Sequence, residues 1–192
     1  VVGVETWGYT SLRRVRADDS ESESIDIMAP PARTVMLDPT IIAGRWLVPE
    51  DENAIVLSTD VLKQEKDIKL GDEIKLKVRG KEEPFRVVGL ARVVGRFGSG
   101  IGLGYINLPY YERMMGEVGR AGSLQVVTER HDVAYQETAK KALEEHFKAL
   151  GIKVSAGGVT SGQLRSSNEL FFNIIVALLM VMAVLMAVVG GL

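Results

Sequence analysis

The chain has 192 residues, 25% of them charged, with a formal net charge of -2 and no cysteine. That length suits one domain or two small ones, and the near-neutral, interspersed charge excludes the basic footprint of a nucleic-acid binder. The missing cysteines exclude a disulfide framework, a thiol nucleophile and a thiolate metal site.

Residues 1–16 are rich in β-branched and aromatic side chains and predict one or two strands at the start of a sheet. The acidic, small-polar run from Asp18 to Ser24 lacks the glycine and distal glutamate of a calcium loop, so it reads as a solvated connection. Short strands are expected at Ile25–Met28 and Thr34–Leu37, around Pro30 and Pro31. Ala54–Leu57 is an apolar run of the kind buried on both faces, and Ser58-Thr59 offers an N-cap for a helix to about Lys66.

From Ile74 to Arg79, apolar residues alternate with Lys75, Lys77 and Arg79, the pattern of a half-buried strand. Gly80 with Lys81–Pro84 is expected to close a hairpin that returns through Phe85–Val88. The glycine-rich stretch Gly95–Gly104 fits neither GxGxxG nor a P-loop and has no following lysine, so a loop is expected there, not a phosphate cradle. A strand at Tyr105–Leu108 leads to a helix opened by Pro109 and stopped by Gly116.

Ser123–Arg130 predicts a strand and His131–Leu150 an amphipathic helix. On that helix Tyr135, Ala139, Ala142, Leu143, His146, Phe147 and Leu150 share one face. Gly151 ends it, and Ile152–Val154 is expected as a further strand, giving a βαβ-type unit. Gly157 and Gly158 form a candidate hinge, and Thr160 with Gln163 has the spacing of a capping box.

No charged residue follows Glu169, and Phe171–Leu192 is apolar apart from Asn173. Twenty-two helical residues rise about 33 Å, against about 30 Å of bilayer hydrocarbon, so this stretch predicts a transmembrane helix. A helix running from Ser161 to Leu192 would be about 48 Å long and would leave roughly 15 Å as a rigid stalk outside the hydrocarbon. Ala183, Ala187 and Gly191 recur every four residues and make a candidate helix-packing face. Val1 is not a start methionine, and Gly190-Gly191-Leu192 brings no basic or aromatic anchor, so the chain reads as a piece of a larger membrane protein.

Residues that carry chemistry do not converge. His131 and His146 stand fifteen positions apart and suggest surface histidines, no GxSxG or HExxH occurs, and the carboxylates lie in surface-patterned runs. No catalytic, cofactor-binding or metal residue is therefore expected, and no cofactor.

The order AGRWL, EDENAIVLS, LGDEIKLKVRGKEEPFRVVGL and LLMVMAVLMAVVGGL resembles the FtsX-like permeases of ABC transporters and their MacB-like periplasmic core domain, over roughly Ile25–Leu192. The resemblance implies an α+β extracytoplasmic domain with a porter-like βαβ part and an inserted, β-rich, sabre-like module. The domain would occupy 1–159, with 67–119 as the inserted module. A helical stalk would follow at 160–170 and one transmembrane helix at 171–192. It further implies a cell (inner or plasma) membrane location with residues 1–169 extracytoplasmic. The implied partners are an ABC ATPase subunit that carries out ATP hydrolysis, a second permease subunit in a homo- or heterodimer, and an extracytoplasmic adaptor or lipoprotein. Proteins of this kind convey the nucleotide cycle mechanically, to drive efflux partners, extract lipoproteins or activate cell-wall hydrolases. The glycine-rich stretch has no counterpart in the family pattern. The rival expectation is a membrane-anchored sensor or binding domain.

Overall fold

The computed structural model describes residues 1–93, 99–120, 122–152, 158–163, 175–182 and 186. These fall into two compact units, Val1–Val127 and Thr128–Leu192.

The first unit is built on one long strand, β1 (Gly3–Val15), which turns back through a left-handed Asp19 (φ 63°) into β2 (Glu21–Ala29). β3 (Thr40–Gly44) and β4 (Ala54–Ser58) follow, then α1 (Thr59–Gln64), β5 (Glu73–Val78), β6 (Lys81–Arg92), β7 (Leu103–Tyr105), α2 (Leu108–Met115) and β8 (Ser123–Val127). Six of these strands pair in a closed ring. β1 pairs with β2, β2 runs parallel to β7, β7 pairs with β4, β4 runs parallel to β6, β6 pairs with β5, and β5 returns to β1 at Arg13–Val15. β3 lies outside the ring on β6, and β8 pairs with Gly3–Trp7 of β1. β5, β6, β7 and α2 span the segment read as an inserted module, and its three strands share the ring with β1, β2 and β4.

The ring follows from strand periodicity. Leu12, Ile25, Ile27, Ile55, Leu57, Ile74, Leu76, Val78, Phe85 and Val87 occupy one face of their strands and meet in a single cluster inside it. Val61 of α1 and Tyr111 of α2 complete that cluster. The opposite face of β4, β6 and β7 carries a second cluster of Ala54, Val56, Ala91, Leu103 and Tyr105. Leu37, Ile41, Trp46 and Leu47 cover it. β4 therefore buries all five of its residues, because it is covered on both faces, as its unbroken apolar run predicts.

Two close approaches need glycine. At Gly8 of β1 a Cβ would come within 2.4 Å of the Tyr111 ring, so α2 can lie against the strand only there. At Gly89 of β6 a Cβ would stand 2.1 Å from the Arg45 carbonyl oxygen.

Five sequence expectations change. The strand expected at Tyr105–Leu108 is β7, which begins within the glycine-rich stretch at Leu103 and ends at Tyr105, and Leu108 already opens α2 behind the N-cap Asn107. Thr34–Leu37 is not a strand: prolines bracket it, and the Glu5 carboxylate across the chain takes hydrogen bonds from the Thr34 hydroxyl and the Val35 N–H. The strand in this region is β3, which starts at Thr40. The acidic run is only half a connection, since Glu21–Ser24 already pairs with β1. Ser58 stands at the N-cap position of α1, but its hydroxyl accepts the Leu103 N–H at 2.9 Å and makes no cap bond. The hairpin turn is Arg79-Gly80, both at positive φ, and Lys81–Pro84 belongs to β6.

The second unit contains α3 (Val133–Ala149). Asp132 caps it by accepting the Tyr135 N–H at 3.0 Å, and Gly151 follows its end at φ 72°. Tyr135, Ala139, Leu143 and Phe147 of its apolar face are half-buried, while His131 and His146 are exposed. Lys153 and Val154 of the expected next strand lie outside the described residues.

Candidate functional site

The sequence-predicted joint lies in the second unit, between α3 and the residues that lead toward the apolar terminus. One helical turn is 3.6 residues, which puts Val133, Glu137, Lys140 and Glu144 of α3 in one stripe, with Gln136 beside it. This stripe lies roughly 120° around the helix from the centre of the apolar face, and Gln136 falls between the two, beside Leu143 and Phe147. Against it runs the segment 158–163. The Gly158 N–H donates to Glu144 Oε1 at 3.1 Å, and the Thr160 hydroxyl bonds Glu137 Oε1 at 3.2 Å. Gln136 Oε1 accepts both the Ser161 hydroxyl at 3.1 Å and the Gly162 N–H at 3.3 Å. Gly162 sits so close to Val133 that a Cβ would fall 2.9 Å from Val133 Cγ2.

Thr160 and Gln163 form the capping box that their spacing predicts. The Gln163 N–H donates to Thr160 Oγ1 at 3.2 Å, and the Thr160 N–H donates to Gln163 Oε1 at 3.3 Å. Residues 161–163 are helical. The structure thus gathers Gly158, Thr160 and Gln163 at one place, while Gly157, Ala183, Ala187 and Gly191 lie outside the described residues. Of the expected stalk and span, 175–182 and 186 are helical, and 164–174, 183–185 and 187–192 lie outside the described residues. Among the described residues no helix is long and apolar enough to cross a membrane. From Ile175 to Met182 every side chain is apolar and exposed, Leu178 at 61% and Met180 at 65%.

Sequence reasoning missed an ion-pair network in the first unit. Glu65, just past α1, is 3% exposed and receives Arg14 Nη1 at 2.7 Å and Arg16 Nη2 at 2.6 Å. Arg14 also forks onto both carboxylate oxygens of Asp67. The Arg14 hydrogen bonds hold the Asp67 carboxyl down to about 2. Those from Arg16, with further help from Arg14, lower Glu65 against the opposing effect of its burial. One local signal existed: Arg14 follows Leu12 at the period of two, so it shares the buried face and requires a partner there.

The C-terminal root of the glycine-rich stretch is stitched to the ring by Asp26, 1% exposed. One oxygen accepts the Ser11 hydroxyl at 2.7 Å and the other the Gly100 N–H at 2.9 Å. A Cβ at Gly100 would lie 2.6 Å from the Ser24 carbonyl oxygen, and one at Gly102 would lie 2.7 Å from Ser58 Oγ. The glycines on this side of the stretch serve close packing. Residues 94–98 lie outside the described residues, and β7 begins at Leu103. Among the described residues no three histidine, cysteine or carboxylate side chains cluster to hold a metal ion.

No protein-family model and no curated protein matches the chain. Solved structures do. The chain is similar to the extracellular domain of the noncanonic ABC-type transporter YknZ from Gram-positive bacteria. Identity there is 18%, with a TM-score of 0.56 over 80% of this chain and 78% of that one. It is also similar to the periplasmic region of MacB from Actinobacillus actinomycetemcomitans, at 14% identity and a TM-score of 0.54, over 76% of this chain and 67% of that one. The chain has the fold of these extracytoplasmic domains of ABC-type transporters, in keeping with the MacB-like core domain read from its sequence.

Proposed function

We propose that this chain is the extracytoplasmic domain, with its following membrane helix, of an ABC transporter permease subunit that transmits ATP-driven movement to partners outside the membrane. The observation that carries the reading is the junction at Thr160. A reciprocal capping box starts a helix at the point where the chain leaves α3, and the sequence beyond Gln163 holds no helix breaker before Gly190. A capped helix entering an apolar run is stiff, whereas a tether would be rich in glycine, serine and proline. The exposed apolar side chains of 175–182 support a lipid surrounding for that helix, since such a surface is unfavourable in water.

In this reading the chain itself performs no catalysis. ATP hydrolysis falls to an ATPase subunit or fused domain, and the work outside is export, lipoprotein extraction or action on an envelope partner. Residues 1–169 lie outside the cell membrane, and 160–170 form a stalk. The permease subunit pairs with itself or a sister subunit, for which Ala183, Ala187 and Gly191 offer a close-packing face.

A Gly-Pro pair introduced near Arg165 of the full-length protein, assembled with its ATPase, tests the stalk. The expected result is ATP hydrolysis that continues without extracytoplasmic work. Coupling equal to that of the unaltered complex would count against the reading.

A further inference from the structure

The segment 158–163 is held to α3 mainly by polar side chains on one side of the helix. Its grip consists of hydrogen bonds from Gln136, Glu137 and Glu144, supplemented by the contact of Gly162 with Val133. Gly158, Ser161, Glu144's Gly158 contact and the Gln136–Ser161 pair are all open to solvent. Water can replace those two bonds as they open; the Thr160–Glu137 and Gly162–Gln136 bonds are part-buried, so separation uncovers only a small patch around Thr160 and Val133. The capping box, by contrast, lies wholly within 160–163, so it stays intact whether or not the segment touches α3. The hinge glycine Gly158 stands at the start of the gripped segment.

We infer that this clasp is a releasable latch: the capped start of the stalk docks on Gln136, Glu137 and Glu144 of α3 in one state of the transport cycle and leaves them as a rigid piece in another. The inference rests on the reading of the chain as a transmitting subunit. Docked, the stalk moves α3 directly. Undocked, it swings about Gly158 and the movement is not passed on. The two states differ by two exposed and two part-buried hydrogen bonds and the contact of Gly162 with Val133, a difference small enough for a nucleotide-driven pull to reverse.

The chain has no cysteine, which makes the latch addressable. A Cβ at Gly158 would lie 3.4 Å from Lys140 Cγ, where a cysteine sulfur at 140 would stand, so Lys140→Cys with Gly158→Cys suits a disulfide and leaves the three gripping side chains in place. The test measures disulfide formation in the full-length membrane complex under a fixed oxidant, with no nucleotide, with ATP, and with ATP and vanadate. The expected result is a rate that differs between nucleotide states by about fivefold or more, the lower end of ordinary allosteric coupling. Adding Gln136→Ala and Glu144→Ala should lower the rate in the docked state alone. Equal rates in every nucleotide state overturn the latch. If the Gly-Pro insertion near Arg165 still uncouples in the same preparation, the transmitting reading survives that failure; if the insertion also has no effect, both fall.

Discussion

Arg14 and Glu65 lie fifty-one positions apart in the chain and meet at 2.7 Å, the carboxylate 3% exposed and the guanidinium side chain 10%. The pair ties the far end of β1 to the end of α1. Both charges are desolvated, so Arg14 depends on Glu65 and Asp67, and Glu65 on Arg14 and Arg16, to replace the lost water.

Removing one partner should therefore cost more than the bond itself. Glu65→Ala leaves the buried Arg14 with Asp67 alone and Arg16 without its carboxylate, and is expected to lower stability by about 1.5–3 kcal/mol. Replacing the pair, Arg14→Met with Glu65→Leu, should recover much of that loss. Urea denaturation followed by the fluorescence of Trp7 and Trp46, both in the first unit, measures each. A double variant no more stable than Glu65→Ala would show that the network, and not the unpaired charge, carries the energy.

Acid should loosen the same corner. Asp67 titrates at about 2 in the folded chain and Glu65 is also lowered, against unfolded values of about 3.9 and 4.3. The unfolded chain then binds more protons between these limits, so stability rises with pH through that window. The contribution is complete above about pH 5 and is lost as pH falls toward the folded values, that of Asp67 near 2. Urea midpoints at pH 7, 4 and 3 should fall in that order. Asp67→Asn, which cannot ionise, should flatten the lower part of the profile.

The contact of Gly8 with Tyr111 gives a third test. Gly8→Ala forces a methyl to within 2.4 Å of ring carbons and should cost about 1–3 kcal/mol, the usual range for overpacking. Tyr111→Phe removes only the hydroxyl donated to the Tyr9 carbonyl at 3.0 Å, at a cost of about 0.5–1.5 kcal/mol. Tyr111→Ala should absorb most of the Gly8→Ala penalty, and additive losses in that double variant would place the clash elsewhere.

Asp26 anchors the root of the glycine-rich stretch. Asp26→Ala leaves the Ser11 hydroxyl and the Gly100 N–H without their acceptor. Amide exchange at Gly100 should quicken about tenfold, the effect of roughly 1.4 kcal/mol, while amides of β5 stay protected. Uniform acceleration across the first unit would mean that Asp26 supports the ring as a whole.

Local chemistry was legible in the sequence to a fine grain. The alternation in β5, the buried run of β4, Pro109 and the left-handed Gly116 that bound α2, and the two bonds between Thr160 and Gln163 all follow from residues a few positions apart. What was not legible depends on residues far apart. Glu5 takes Thr34 and Val35 out of a strand, and Leu103 draws Ser58 away from its cap. The closing of the ring rests on three residue pairs between β1 and β5, which no local pattern specifies. At the joint, Thr160 and Gln163 were readable because both partners sit within one turn. Gln136, Glu137 and Glu144 were not, because their partners lie 14 to 26 positions away.

A closed ring also governs how sticky the protein is. An open sheet of this many strands would end in two bare rows of amides and carbonyls, each a template for a neighbouring molecule. Here the six ring strands satisfy one another, and among the described residues the outlying strands are β3 and β8, each only five residues long. Such short borders offer little purchase for ladder growth between copies. Many molecules can then stand side by side at high density without knitting into aggregates.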